Sequence, residues 1–220
     1  MSSSVQGQVQ ALDSRQKLQL VAGAVAGPLF VAVSLAQIPF RNGFDMTRHA
    51  FSFLLNGPGG WLQTINFVVT GALFLLTSPG LRAGLGGRAG VVAGVLLGIV
   101  GCGLVVAGLF APQPSYGYPP GAPDGMPTNL TASSILHGIA FITAVLAYCA
   151  TLAVTAWRLP QLGDLKWAGV CGGAAVILLA IPATQATGAA TVVIYIAVTA
   201  AFLATSGLML HLRRAERLVR

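Results

Sequence analysis

The stretch AGVVAGVLLGIVGCGLVVAGLFA, residues 89–111, decides the fold because it runs without a charged side chain for long enough to cross a bilayer. A helix rises about 1.5 Å per residue, so a hydrocarbon core of about 30 Å needs about 20 residues. Only helices and closed barrels satisfy their backbone polar groups in hydrocarbon. The stretch therefore predicts a transmembrane helix.

Five further apolar stretches surround this one, and the six together predict an all-α transmembrane protein built as a six-helix bundle. The predicted spans are about 19–40, 60–78, 89–111, 133–156, 167–184 and 189–211. Only 8% of the residues are charged and 55% are hydrophobic, whereas a soluble domain carries about 25% charged residues. A soluble domain is therefore excluded. We expect a disordered N-terminus (1–17), one membrane domain (18–212) and a basic tail (213–220).

The basic residues predict the orientation of the bundle. Of the twelve Lys and Arg, all except Arg41 and Arg48 lie in segments that an even number of spans places on one face. The positive-inside rule makes that face cytoplasmic, so both termini are expected in the cytoplasm. Because the ten residues stand beside helix ends and form no stripe, the net charge of +7 does not indicate nucleic acid. The composition, rich in Ala, Gly and Arg, favours the inner membrane of a bacterium.

The first span has one competing interpretation, a cleaved signal peptide. Basic residues precede it, and Ser34-Leu35-Ala36 resembles a cleavage site. Its apolar stretch is long for a signal peptide, however, and cleavage would leave five spans with the C-terminal arginines on the wrong side. A retained transmembrane helix is the better interpretation.

Small residues recur near the start of the odd-numbered spans, at 22–27, 89–94 and 168–173. Residues of this size at a spacing of four allow helices in lipid to approach closely. We expect the cytoplasmic halves to pack tightly and the third helix, the richest in glycine, to lie centrally. Glycine-rich faces also allow a homo-oligomer.

Polar side chains gather at the predicted outer ends of the spans, while the middle of each span lacks Asp, Glu, Lys and Arg. This one-sided set predicts a shallow pocket open to the outer leaflet or the periplasm. The candidate ligand-binding residues are Arg41, Asp45, Arg48, His49, Ser52, Gln63, Asn66 and His137. Each also has a structural interpretation, as a helix cap, an ion pair or a hydrogen bond between helices.

The connection between the first two spans predicts a short interfacial helix. Read as a helix from Asp45, it stacks Asp45, His49 and Ser52 on one face at i, i+4 and i+7. Its last turn is apolar nearly all round, which is typical of a helix lying flat on a membrane surface.

The first two predicted spans and the connection between them resemble one known family. The residues Gly27-Pro28-Leu29-Phe30, Gln37, Arg41-x-Gly43-x-Asp45-x-x-Arg48-His49-x-x-Ser52 and Gly59-Gly60-Trp61-x-Gln63-x-x-Asn66-Phe67 resemble the bacterial membrane proteins catalogued as domain of unknown function 998. Gly71, Gly80-Leu81-Arg82 and His137 also fit. The resemblance implies six helices and supplies no activity. More loosely, the pattern is similar to the six-helix Frag and autophagy-modulator proteins, whose suggested roles concern membrane lipids.

Three functional hypotheses follow from these residues. The first is a protein that binds, and moves or senses, a membrane lipid or small amphiphile, with the guanidinium groups of Arg41 and Arg48 suited to a phosphate or carboxylate. The alternative is a small intramembrane enzyme in which Asp45 and His49, or His137, act as acid and base. A haem held by His49 and His137 is the third. Four-helix haem proteins usually place their histidines within the spans, so the sequence favours no cofactor over this third hypothesis. It predicts no metal site, because the three cysteines lie inside spans and not at metal-ligand spacing.

Overall fold

The computed structural model describes residues 11–183 and 190–215 and contains six α-helices within them. They are α1 (Ser14–Gln37), α2 (Gly60–Leu85), α3 (Gly87–Leu109), α4 (Ala132–Arg158), α5 (Leu165–Ala183) and α6 (Ala190–Ala215). Five of them are long and apolar enough to cross a membrane, and the apolar part of α5 is shorter, Leu165–Ile181. The all-helical prediction is confirmed for this part of the chain, while the cytoplasmic location of the termini stays a prediction.

The first helix begins earlier than the sequence indicated. Asp13 accepts a hydrogen bond from the backbone N–H of Gln16 at 2.7 Å, and the Gln16 side chain accepts one from the Asp13 N–H at 3.0 Å. This capping box satisfies two N–H groups that would otherwise lack partners at the helix start. The prediction of a disordered N-terminus (1–17) is therefore wrong from Ser14 onward. Residues 1–10, 184–189 and 216–220, which include most of the predicted basic tail, lie outside the described residues.

The six helices form a closed ring in chain order. Each helix packs against the next one along the chain, and α6 packs back against α1. Our expectation that α3 lies centrally is wrong, because α3 packs chiefly against α2 and α4 as one member of the ring. Its glycines serve both neighbours: Gly101 faces α2, and Gly103 faces Ala140 and Ala144 of α4.

Close backbone approach holds α2 against α3 at one crossing point. A Cβ atom at Gly71 would lie 2.5 Å from the Gly101 carbonyl oxygen, and one at Gly101 would lie 2.7 Å from the Gly71 carbonyl oxygen. Both distances are shorter than a carbon–oxygen contact allows, so glycine is required on both sides of this crossing. In α5, by contrast, no atom lies within 4 Å of a Cβ placed at Gly169 or Gly173. The homo-oligomer through glycine-rich faces stays a prediction, with this face of α5 open for it.

Candidate functional site

Two connections cover the end of the ring at which α1 and α3 finish, and the location of this end outside the cytoplasm stays a prediction. Residues 38–59 join α1 to α2, residues 110–131 join α3 to α4, and we call the two segments together the outer cap. The first contains two short 3₁₀ helices, Ile38–Phe40 and Phe51–Leu55, and residues 41–50 between them form turns. The predicted helix from Asp45 is thus replaced by a turn and a 3₁₀ helix. Its location at a membrane interface stays a prediction.

Asp45 explains why the segment turns before it becomes helical. Its carboxylate accepts hydrogen bonds from the Thr47 hydroxyl at 2.7 Å and the Thr47 backbone N–H at 2.8 Å, and the carboxylate is exposed. A short polar side chain that bonds the backbone two residues onward closes a local turn. The hydroxyl of Thr47, followed by its backbone N–H, lowers the pKa of Asp45 below the usual 3.8. Asp45 is therefore an ionised turn residue.

His49 is buried, 1% exposed, and both of its ring nitrogens are bonded. Nδ1 accepts from the Asp45 backbone N–H at 2.9 Å, and Nε2 lies 2.9 Å from the carbonyl oxygen of Tyr116. Because a carbonyl only accepts, Nε2 carries the proton and the ring is the neutral tautomer. His49 thereby fastens the first cap segment to the second.

Arg41 is buried, 8% exposed, and its guanidinium is surrounded by oxygen acceptors. It donates to the carbonyls of Leu54 at 3.1 Å and Gly59 at 2.6 Å, to the Gln37 side chain at 2.8 Å, and to the Pro58 carbonyl. The chain turns tightly around it, with Gly59 at φ +81°, a conformation that glycine adopts without strain. These bonds close the α1–α2 connection onto its own ends.

A buried polar network continues from Arg41 along the α1–α2 interface. The Gln63 side chain, 0% exposed, accepts from Gln37 at 2.7 Å and donates to the Ser34 hydroxyl at 2.9 Å. Asn66 donates to the Phe30 carbonyl at 3.0 Å and to the same hydroxyl at 3.1 Å. These bonds join the two helices, which is the structural interpretation of Gln63 and Asn66. The Asn66 side-chain oxygen is buried without a partner among the described residues.

Two tyrosines complete the outer cap. The Tyr118 hydroxyl donates to the Asn56 carbonyl at 3.3 Å, and its ring packs on that of His49 at a centroid distance of 5.3 Å. The Tyr195 hydroxyl of α6 donates to the His49 carbonyl at 2.9 Å, and its ring lies 4.2 Å from that of Phe51. Burial raises the pKa of Tyr118 above its usual 10.0. The cap is thus tied to itself and to the ring of helices.

A cavity of about 80 Å³ lies inside the ring, directly beneath the outer cap. All six helices contribute to its wall, and Ala50, Phe51 and Ser52 of the cap complete it. Its helical lining is Phe30, Phe67, Val100, Gly103, Leu104, Ala107, His137, Phe141, Ala144, Val145, Tyr148, Leu178, Ile194, Val198 and Phe202. The wall is nearly all apolar. Its polar side chains are His137, Ser52 and Tyr148, and the Tyr148 hydroxyl already bonds Ala201 and Thr205.

His137 of α4 lies in the outer part of this wall and caps the C-terminal end of α3. Its Nδ1 lies 2.9 Å from each of two carbonyl oxygens, those of Ala107 and Phe110, at the last turn of α3. The final carbonyls of a helix lack intrahelical partners, so His137 satisfies two of them. Ser133 donates to the carbonyl of Ala111, which follows the helix, at 2.8 Å.

The predicted site residues therefore separate into three groups, with Arg48 outside all of them. Ser52 and His137 line the cavity. Arg41, Gln63 and Asn66 belong to the polar network, in which Ser34 and Gln37 also take part. Asp45 and His49 hold the cap together, and Arg48 is exposed.

The apolar wall was not predicted from the sequence. In a chain that is 55% hydrophobic, nothing in the sequence distinguishes a residue that faces a cavity from one that faces lipid. Within the residues that the structure describes, no group of three or more His, Cys, Asp or Glu is placed to hold a metal ion.

Comparison with known proteins gives one match. The family model described as protein of unknown function (DUF998) matches residues 24–219, which is nearly the whole chain. Neither a curated protein nor a solved structure matches it.

Proposed function

The chain belongs to the DUF998 family, and from this premise and the geometry of the outer end we propose that it binds the apolar chain of a membrane lipid or small amphiphile. The ligand occupies the cavity inside the ring. The single observation that carries the proposal is an apolar cavity lined by all six helices beneath a hydrogen-bonded cap.

The size and chemistry of the cavity support a hydrocarbon ligand. An apolar cavity of roughly 150 Å³ holds one benzene molecule, so about 80 Å³ admits the end of a chain and not a whole lipid. A wall without charged side chains gives an ionised group no compensation for lost hydration. The apolar end therefore lies inside, and the remainder of the ligand extends toward the bilayer.

The least buried part of the wall indicates the route of entry. The cap covers the outer end of the ring, whereas Phe141 and Val145 of α4 and Ile194 and Val198 of α6 are only partly buried. These residues lie in the outer halves of their helices. We infer that a chain enters sideways from the outer leaflet, on the side of the ring where α4 and α6 flank α5.

The proposal revises the role of the polar residues. In it, Arg41, Gln63, Asn66 and His49 shape and close the site through the bonds they make, and His137 and Ser52 meet the ligand. Arg48, which is exposed beside the cap, remains the candidate for an anionic headgroup. The protein acts from the cytoplasmic membrane, with both termini inside the cell, and its action is to move or sense the ligand.

The alternative, a small intramembrane enzyme, depends on His137. Asp45 is exposed and bonded to Thr47, and both nitrogens of His49 are bonded. His137 is then the candidate base, since within the described residues the hydrogen bonds of its ring involve Nδ1 alone. The binding function needs only the cavity, and we propose it first.

Photolabelling tests the binding function. A pentadecane that carries a diazirine at its second carbon, so that the reactive carbon lies at the end of the chain, is irradiated with the protein in lipid nanodiscs. We expect it to label the cavity wall, and mass spectrometry maps the labelled residues. Val198→Phe fills the cavity from α6 and is expected to remove this labelling. Val192→Phe makes the same change in the same helix at a position that is 42% exposed and outside the wall, so labelling is retained.

Labelling confined to outward-facing side chains in the unmodified protein would overturn the proposal. Equal labelling of the wall in Val198→Phe and Val192→Phe would do so as well, because the bulk of a phenyl ring must exclude a chain from a space of this size.

A further inference from the structure

The hydrogen bonds of His137 fix the position of its ring proton. The Ala107 and Phe110 oxygens, each 2.9 Å from Nδ1, are backbone carbonyls and can only accept. Nδ1 therefore carries the proton. In a neutral imidazole the other nitrogen is then an acceptor with a lone pair.

The second nitrogen of this ring, Nε2, makes no hydrogen bond within the part of the chain that the structure describes. Among residues 11–183 and 190–215, no hydrogen bond to His137 Nε2 is found, although the residue is only 7% exposed and lines the cavity. The bonds at Nδ1 hold the ring in place, so Nε2 is a fixed acceptor.

We propose that the cavity selects ligands that carry a hydrogen-bond donor, namely alcohols with a long apolar chain, through donation of the hydroxyl proton to His137 Nε2. This rests on the binding function proposed above and names its ligand class. A ligand with a carbonyl or ether oxygen in the same place has no proton to donate, so its lone pair and that of Nε2 repel each other. The Ser52 hydroxyl of the cap is the second polar side chain that faces the ligand.

Two compounds that share a carbon skeleton test the selection. Undecan-2-ol donates and accepts, whereas undecan-2-one only accepts. Each competes with the pentadecane diazirine for wall labelling of the unmodified protein in nanodiscs, with concentrations corrected for partition into the bilayer. We expect the alcohol to displace the probe at about tenfold lower concentration, the difference between a made and an unmade hydrogen bond at a buried acceptor.

His137→Asn serves as the matched variant. The Asn side-chain amide places an N–H near the position of Nδ1 and keeps the bonds to α3, but it has no atom at the position of Nε2. In this variant we expect alcohol and ketone to displace the probe equally well. Val192→Phe, whose side chain lies outside the wall, is expected to keep the preference for the alcohol.

The outcomes separate this inference from the binding function. Equal displacement by the two compounds in the unmodified protein overturns the preference for a donor and leaves chain binding intact. A preference for the alcohol that persists in His137→Asn overturns the role of Nε2. If His137→Asn does not fold, the ratio in the unmodified protein decides alone. Absence of wall labelling by the probe overturns the binding function itself.

Discussion

The phenol hydroxyl of Tyr195 donates to the backbone carbonyl of His49 at 2.9 Å and joins α6 to the outer cap across 146 positions of sequence. The same cap residue bonds Tyr116 of the second connection through its ring. One residue thus links the first cap segment, the second cap segment and the last helix. The cap is part of the folded bundle, and it forms the outer wall of the cavity.

Tyr195→Phe removes this hydrogen bond and keeps the ring that packs on Phe51. We expect the free energy of unfolding to fall by about 0.5–1.5 kcal/mol, the usual net value of one hydrogen bond. Hydrogen exchange at residues 45–55, followed by mass spectrometry, is expected to accelerate while exchange in α2 and α3 stays unchanged. Unchanged exchange in the cap would contradict the link.

Replacing each of the two arginines in the connection between α1 and α2 is expected to change the free energy of unfolding by very different amounts. Arg41→Ala leaves the carbonyls of Leu54, Pro58 and Gly59 without their donor, and we expect a loss of about 3 kcal/mol or more. Thermal unfolding in detergent, or the yield of folded protein, measures it.

Arg48→Ala is the control for Arg41→Ala, because Arg48 is exposed. Its effect on stability is expected to stay within about 0.5 kcal/mol. Similar losses in the two variants would show that Arg41 is not the clamp of this connection.

Glycine-to-alanine changes report on the crossing of α2 and α3. Gly71→Ala places a methyl group 2.5 Å from the Gly101 carbonyl oxygen, and we expect a loss of about 1–3 kcal/mol. Gly138→Ala in α4 meets no atom within 4 Å, and we expect a gain of up to about 1 kcal/mol from helix propensity. Gly71→Ala is thus expected to lower the unfolding temperature and Gly138→Ala to raise it. A change in the same direction in both variants would contradict the packing argument.

Tyr118 gives the outer cap a dependence on alkaline pH. Burial raises its pKa in the folded protein above the usual 10.0. Its contribution to stability is therefore complete below pH 10 and is lost as the pH rises through the folded pKa. We expect the stability difference between the unmodified protein and Tyr118→Phe to be constant up to about pH 10 and to shrink above it. If this stability difference grew above pH 10, the pKa of Tyr118 would be lowered on folding, which contradicts a buried phenol.

Membrane sidedness is tested with single cysteines in exposed connections. Thr128→Cys in the outer cap is expected to react with a membrane-impermeant maleimide in intact spheroplasts, and Gln161→Cys between α4 and α5 only after lysis. The unmodified chain, whose three cysteines all lie within helices, corrects for background. The reverse pattern would place both termini outside.

Local sequence was sufficient for much of this architecture. Apolar length predicted the helices, and the small residues at 22–27 and 89–94 indicated close helix contacts, because glycine in a membrane helix allows backbones to approach. The segment from Asp45 to Ser52 shows the limit of such reasoning. Its i, i+4, i+7 pattern predicted a helix, but the Thr47 bonds of Asp45 and the Tyr116 bond of His49 stabilise turns instead.

The sequence by itself determined that the chain is a bundle of apolar helices with its polar side chains collected at one end, since transfer free energy depends on composition and periodicity along the chain. Tertiary structure alone decided what those polar side chains do. Arg41, Gln63 and Asn66 turn toward one another, while His137 and Ser52 reach a cavity whose wall comes from all six helices. Hydrogen-bond partners and cavity walls lie far apart in sequence, and only the closure of the ring brings them together.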